Sequence, residues 1–368
     1  MREELVGQLR GDRRAIDPLA ARADLSQFWD EHKQKHPEHT VRLSTINLVV
    51  VCPAPEQLPG VADDLEALCR THPARVFLLA IDSSASGPME GWLSLACHQD
   101  HVCQEQISIY APGETAMALP SLVSPLFRPD NPDFLWWRGA PRFGEPLWKR
   151  LVDLADRIVV NTSKGPDLLA PLLAEVRDPY RQEQGFSDLE WARMARWRHL
   201  VAAMFDRPEG LEQLRRIHRV EVGFAPGPHG SRSAALYMGG WLAARLGYRV
   251  ASPLKEGCAV WKAPDGREVE FALAMIEGDA RVAGKVLHVN LCGDGCTFRV
   301  HRKRDNPEVF VTHVQGARSE HPDLDRFIRF MERQRLMGCE LEIVGRQRLF
   351  EQALEATVEL EARLVPAA

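Results

Sequence analysis

No apolar run in the 368-residue chain approaches the ~20 residues that a membrane-spanning helix needs, and Met1 to Arg14 lacks the apolar stretch of a secretory signal. No membrane association is expected, and the chain reads as a soluble cytoplasmic protein. A basic excess is missing too. The formal net charge is -5 and Lys and Arg are spread along the chain, so nucleic acid is not an expected partner. Gly-x-Gly-x-x-Gly, Walker, Gly-x-Ser-x-Gly, His-Glu-x-x-His and kinase signatures are all absent, and acidic residues are scattered. The sequence therefore points to no enzyme active site and no cofactor. The eight cysteines are dispersed, a usage that fits reduced cytosolic thiols better than a disulfide scaffold.

What is present is an alternation of strand and helix patterns. Residues 1–40 are charged and His-rich with a short apolar stretch from Leu25 to Trp29, which reads as a helical or partly disordered arm. From Val41, the runs Ile46 to Cys52, Leu58 to Cys69 and Arg75 to Ile81 spell a β-α-β unit. Trp92 to Cys97 and Val102 to Tyr110 read as neighbouring strands, and Phe134 to Trp137 and Arg157 to Val160 as further short ones. The fold class is thus α/β: a mixed-sheet Rossmann-like domain over 41–206, then a smaller α+β domain over 207–368 with antiparallel strands and C-terminal helices. Asp265-Gly266 marks a hairpin turn in the second domain. Helices are expected over Leu324 to Met337 and Gln347 to Leu364.

Several residue groups could carry chemistry. Cys97, His98, His101 and Cys103 combine thiols and imidazoles between two predicted strands, a first shell that suits zinc, although buried hairpin cysteines need no metal. Cys292 and Cys296 could form a redox pair, against a plain Asp294-Gly295 turn. Arg75 offers its planar fork to an anion or to a structural carboxylate. Gly227 to Ser233 precedes a helix, so Ser231, Arg232 and Ser233 could hold a phosphate, or Ser231 could simply cap. Trp136, Trp137 and Arg138 form one block, and Trp191, Arg193, Trp197 and Arg198 another. Trp and Arg are enriched at binding hot spots, which makes these candidates for partner contacts as well as core anchors.

Taken in order, Asn47-Leu48-Val49-Val50-Val51-Cys52, His72-Pro73-Ala74-Arg75-Val76 and Cys103-Gln104-Glu105-Gln106-Ile107 resemble the OpcA family. Leu119-Pro120-Ser121-Leu122-Val123, Phe134-Leu135-Trp136-Trp137-Arg138-Gly139, Ala155 to Val160, Asp188 to Arg193 and Trp197-Arg198 extend the resemblance through residue 206. Beyond it, Gly240-Trp241-Leu242-Ala243 and Arg245-Leu246-Gly247 carry it. The resemblance implies a non-catalytic assembly factor or allosteric activator whose partner is glucose-6-phosphate dehydrogenase, acting in NADPH production by the oxidative pentose phosphate pathway. The competing expectation is an enzyme that acts on a phosphorylated sugar through the Gly227–Ser233 loop.

Overall fold

The computed structural model describes residues 1–37, 43–97, 103–206, 208–227, 231–255, 257–278, 280–316, 321–327, 333–343 and 345–364. At 208–209, 231, 254–255, 321–327 and 333–334 this is the backbone alone. The chain divides into two compact units of comparable size. The first holds Met1–Asn161, Pro179–Leu189 and Glu332–Arg346, and the second Thr162–Asp178, Glu190–Met331 and Gln347–Ala368. These spans differ from the expected boundary near residue 207, and the described part of the expected arm, helical over Ala21–Lys35, falls within the first unit.

Eight strands make the sheet of the first unit: β1 (Asp12–Ile16), β2 (Ile46–Cys52), β3 (Ala74–Asp82), β4 (Glu90–Cys97), β5 (Cys103–Pro112), β6 (Asp133–Trp137), β7 (Arg157–Val160) and β8 (Gly185–Asp188). Their spatial order is β1-β4-β5-β3-β2-β6-β7-β8. From β5 to β8 every neighbouring pair is parallel. Numbered among themselves, these six strands run 3-2-1-4-5-6, the doubly wound dinucleotide-fold order. β4 and β1 are antiparallel additions at one end. The arm joins the sheet because Leu25, Phe28, Trp29 and His32 line one buried stripe of the helix Ala21–Lys35, which packs on β1 and β4.

Parallel strands must be covered on both faces, which explains why every residue of β2 is buried. Part of that cover comes from far along the chain: the helix Arg333–Leu341 packs against Val61–Cys69. A buried polar cluster fastens this returning segment. Arg157 on β7 donates to Ser187 Oγ on β8, to Glu340 Oε2 at 3.1 Å and to the Gly345 carbonyl at 2.7 Å. Ser187 Oγ itself donates to Glu340 Oε2 at 2.5 Å. Burial pushes the Arg157 guanidinium below its ordinary value, while Glu340 pulls it back up.

The second unit carries its own eight-stranded sheet: β9 (Ile217–Phe224), β10 (Arg249–Lys255), β11 (Cys258–Lys262), β12 (Glu268–Met275), β13 (Val286–Gly293), β14 (Cys296–Arg302), β15 (Val309–Gln315) and β16 (His321–Phe327). The order is β10-β11-β12-β9-β13-β14-β15-β16, antiparallel throughout except for the parallel pair β9/β12. The expected antiparallel strands are present, and the Asp265-Gly266 turn closes β11 on β12 with Gly266 at φ +86°. The helix expected from Leu324 is corrected, since His321–Phe327 is a strand paired with β15, and the described helix in this stretch is Arg333–Leu341. Two helices, Ser231–Leu246 and Arg348–Arg363, pack together in this unit. They approach so closely that a Cβ on Gly240 would lie 2.0 Å from Thr357 Oγ1.

Removing Glu340 would leave the Arg157 charge buried without its carboxylate. Glu340→Ala should therefore lower unfolding stability by about 3–5 kcal/mol, read from the shift in denaturant midpoint of the intact chain.

Candidate functional site

The doubly wound order directs attention to one place, the crevice beyond the carboxyl ends of β2 and β6, where the strand order reverses and such folds hold a dinucleotide. A dinucleotide needs glycines in the first turn, free backbone N–H groups and a helix N-terminus open to phosphate. Here the turn after β2 reads Pro53-Ala54-Pro55, and proline has no N–H to donate. The helix that follows carries Asp63 and Asp64 in its first turn, where phosphate charge would sit. Arg138, just after β6, crosses to this side: its Nε donates to the Gln57 carbonyl at 3.1 Å and its guanidinium pairs with Asp64 at 2.6 Å. Pro53 fills the space beside Gly139, where a Cβ would lie 2.8 Å from the proline ring. Asp82 does stand at the end of β3, where a ribose-binding acid would be, but it accepts from Ser84 and from the Tyr110 hydroxyl at 3.3 Å. The residues present do not fit a dinucleotide.

The aromatic candidates are core. Trp136, Trp137, Trp191 and Trp197 are each at most 4% exposed. Alternation does send Trp136 and Trp137 to opposite faces, but β6 lies inside a parallel sheet covered on both, so neither reaches solvent. Trp137 meets Trp148 edge to face, Trp191 packs on Tyr237 and Phe350, and Trp197 on Phe310. Arg198 lies over the Trp191 ring, 3.5 Å from its centroid, and donates to the Trp191 carbonyl. Arg193 pairs with Glu190. These two arginines stay partly exposed, and Arg196 and His199, which share the helix Ala195–Ala203 with Arg198, are exposed.

The anion candidates divide. Arg75 is a structural residue, buried and bound to Glu105 across β3 and β5 at 2.9 Å and to the Leu126 carbonyl at 2.6 Å. Arg232 and Ser233 line a cavity of about 490 Å³ with Ser163, Lys164, Asp167 and Glu361. Within it Arg232 is ion-paired with Glu361 at 2.5 Å, so its charge is already partly met. The Ser231 side chain lies outside the described residues.

Cys292 and Cys296 are not placed as a pair. Cys296 is opposite Gly293 in the β13/β14 register and Cys292 is one residue on, so the two thiols face opposite sides of the sheet. Gly295, at φ +69°, makes the plain turn between them. Cys97 and Cys103 do meet, as a disulfide, which corrects the expectation of reduced thiols throughout. His98 and His101 lie outside the described residues. The third member of this cluster is one that sequence reasoning missed: His32 Nε2 is 3.3 Å from Cys97 Sγ and 3.9 Å from Cys103 Sγ. The signal was there, since His32 completes the i, i+3, i+4, i+7 stripe of Leu25, Phe28 and Trp29.

On the second sheet, Glu221 of β9 accepts from Arg219 at 2.9 Å, from His288 Nε2 at 2.9 Å and from Asn290 at 3.2 Å. Gly223 makes room for that imidazole, because a Cβ there would lie 2.3 Å from its ring. Burial opposes ionisation of Glu221, but the hydrogen bonds from Arg219 and His288 outweigh it and hold the carboxyl below its usual range. Burial likewise pushes His288 down, against the pull of Glu221.

The fold is thus a Rossmann-ordered α/β unit joined in one chain to a unit built on a mostly antiparallel sheet. Residues 65–177 match the family described as glucose-6-phosphate dehydrogenase subunit N-terminal domain, and residues 184–354 match the corresponding C-terminal domain. The chain belongs to the OpcA family. It is similar to a Synechocystis sp. protein that carries the provisional name OxPP cycle protein OpcA, 27% identical over 314 residues that cover 80% of this chain and 64% of that one. A Synechococcus elongatus protein of the same provisional name is 28% identical over 54% of this chain and 44% of its own length. The chain therefore spans less than two thirds of these two relatives. Among solved structures it is similar in fold to KijD10, a 3-ketoreductase from Actinomadura kijaniata, at TM-score 0.49 and 13% identity, covering 87% of this chain and 96% of that one. Among the described residues, no helix is long and apolar enough to cross a membrane.

The Glu221 and His288 shifts carry a sign that can be checked. Both groups have folded pKa values below their unfolded ones, so each contributes stability that is present above the unfolded pKa and lost as pH falls. The melting temperature should decline as pH drops from 7 through about 6.5, the unfolded His range, and further near about 4.3, the unfolded Glu range. In His288→Gln the upper part of that decline should flatten, as followed by calorimetry.

Proposed function

We propose that this chain is a non-catalytic binding partner of glucose-6-phosphate dehydrogenase that promotes the active state of that enzyme in the oxidative pentose phosphate pathway. The observation that carries the reading is the match of two glucose-6-phosphate dehydrogenase subunit domains to residues 65–177 and 184–354, most of the chain. The filled crevice supports its non-catalytic half, because proline, carboxylates and a guanidinium occupy the place where a Rossmann fold does its chemistry. The mechanism needs no catalytic residue. A partner that binds the active dehydrogenase arrangement more tightly than the inactive one shifts the population by that difference in affinity, and a tenfold shift needs only about 1.4 kcal/mol.

With the four tryptophans buried, the contact falls to the charged surface beside them. The helix Ala195–Ala203 keeps Trp197 inward and presents Arg196 and His199 outward, flanked by Arg193 and Arg198. Arg193 is met by Glu190, so the exposed charge that would suit an acidic patch on the partner is that of Arg196, with Arg198 beside it. A pocket for a phosphorylated sugar at Arg232 is the weaker reading, since Glu361 already pairs with that guanidinium.

Activity of the purified cognate dehydrogenase should be measured across substrate concentration with and without this chain, alongside co-elution on a sizing column. Saturable activation and a shifted elution volume are expected. Arg196→Glu combined with His199→Glu should weaken association about tenfold or more, most visibly at low salt, while the melting temperature stays put because both positions are exposed. No co-elution and no kinetic change would sink the proposal, and turnover of a sugar phosphate by the chain alone would replace it with an enzyme.

A further inference from the structure

The residues around His32 form a donor set that the binding function does not use. Cys97 ends β4, Cys103 begins β5, and the two stand directly opposite in the antiparallel register. The helix Ala21–Lys35 brings the His32 ring against both sulfurs, with ligand atoms of all three residues within 4.8 Å of one another. Behind the ring, His32 Nδ1 lies 3.0 Å from Asp12 Oδ2 on β1.

We propose that, once the Cys97–Cys103 disulfide is reduced, Cys97, Cys103 and His32 bind one Zn²⁺ ion. In a zinc tetrahedron with bonds of about 2.3 Å to sulfur and about 2.0–2.1 Å to nitrogen, the nitrogen-to-sulfur edge is roughly 3.5 Å. The two distances from His32 Nε2, 3.3 and 3.9 Å, bracket that edge, so the imidazole already stands where a ligand would. Only the sulfurs must separate. Asp12 supplies the outer carboxylate that zinc-bound histidines commonly use: with the Nδ1 proton donated to Asp12, the Nε2 lone pair faces the sulfurs. His32 and Cys103 are buried and Cys97 is half-buried, and together they supply three of the four ligands that zinc takes. Asp12, His32 and His36 form an overlapping set, but zinc favours the thiolates.

The chemistry balances in two steps. A dithiol reductant gives two electrons and two protons to the disulfide, yielding two cysteine thiols and the oxidised reductant. Zinc binding then displaces both thiol protons to solvent and leaves two coordinated thiolates, with the metal unchanged in oxidation state. The disulfide ties β4 to β5, whereas the zinc form would also tie the helix Ala21–Lys35 to that hairpin.

The test is zinc titration of the metal-free full chain, reduced with a phosphine, in competition with a chromogenic chelator, and Co²⁺ as a spectroscopic probe. One equivalent is expected in the reduced chain and none in the oxidised chain, with a thiolate-to-cobalt charge-transfer band and tetrahedral visible bands. His32→Ala should weaken binding at least about tenfold and Asp12→Asn about 10–100-fold, while Cys292→Ser with Cys296→Ser should keep full stoichiometry. Absence of stoichiometric uptake by the reduced chain would overturn the proposal. So would uptake that survives Cys97→Ser with Cys103→Ser, or that is lost only when Cys292 and Cys296 are replaced. Dehydrogenase activation does not enter any of these readouts, so this proposal and the partner reading stand or fall separately.

Discussion

Six parallel strands cannot leave a face to water. The backbone pairs only along the sheet, and the side chains of β2, β3 and β6 alternate between two faces that are both apolar, so each must be covered by chain that leaves and returns. Much of the first unit follows from this. The helix Val61–Cys69 is supplied by the β2-to-β3 crossover, but the helix Arg333–Leu341 must come back from beyond the second sheet. The charged groups inside the unit sit where that cover is fastened. Arg157 bridges β8 and the returning segment, and Arg75 bridges β3 and β5, each with a carboxylate to meet its charge. Desolvation would make either arginine costly alone, and paired they set strand register and docking position.

How far the sequence discloses this depends on whether a feature is local. Unbroken apolar runs announce buried strands, and β2, β3 and β7 are legible for that reason. So is the Asp265-Gly266 turn, whose glycine needs a positive φ that few residues adopt. Strand order is not local, because 3-2-1-4-5-6 arises from which crossover turns which way, and neither are the unit boundaries, since the chain passes between units at residues 161, 178, 189, 331 and 346. The tryptophans illustrate the limit. Alternation along β6 correctly separates Trp136 from Trp137, yet exposure depends on what lies on each face, and that comes from distant segments. For the cysteine cluster the position was legible and its partner only half so, because a histidine at the fourth place of an apolar stripe looks like a core histidine until β1 and β4 are known to lie beneath it.

The crevice at β2 and β6 shows what the scaffold carries in place of a phosphate-binding turn. A phosphate-binding turn must leave N–H groups and a positive helix end unmet until the ligand arrives, which is a cost to the empty fold. In this chain Pro53 and Pro55 remove donors, Asp63 and Asp64 meet the helix end, and Arg138 neutralises Asp64. The site has become part of the packing.

Fold alone does not assign function, so the departures from the fold carry more information than the agreement. The largest departure in the first unit is the pair of antiparallel strands β4 and β1 added beyond β5, which extends the edge of the Rossmann order. Asp12 belongs to β1, Cys97 to β4 and His32 to the helix packed on these two strands, while Cys103 begins β5, the parallel strand on which the extension is built. The crevice at β2 and β6 is filled by packing residues, while the junction of β5 with the added strands gathers two sulfurs, an imidazole and a carboxylate. The proposed zinc site therefore lies where the added strands meet the parallel sheet, away from the crevice at β2 and β6.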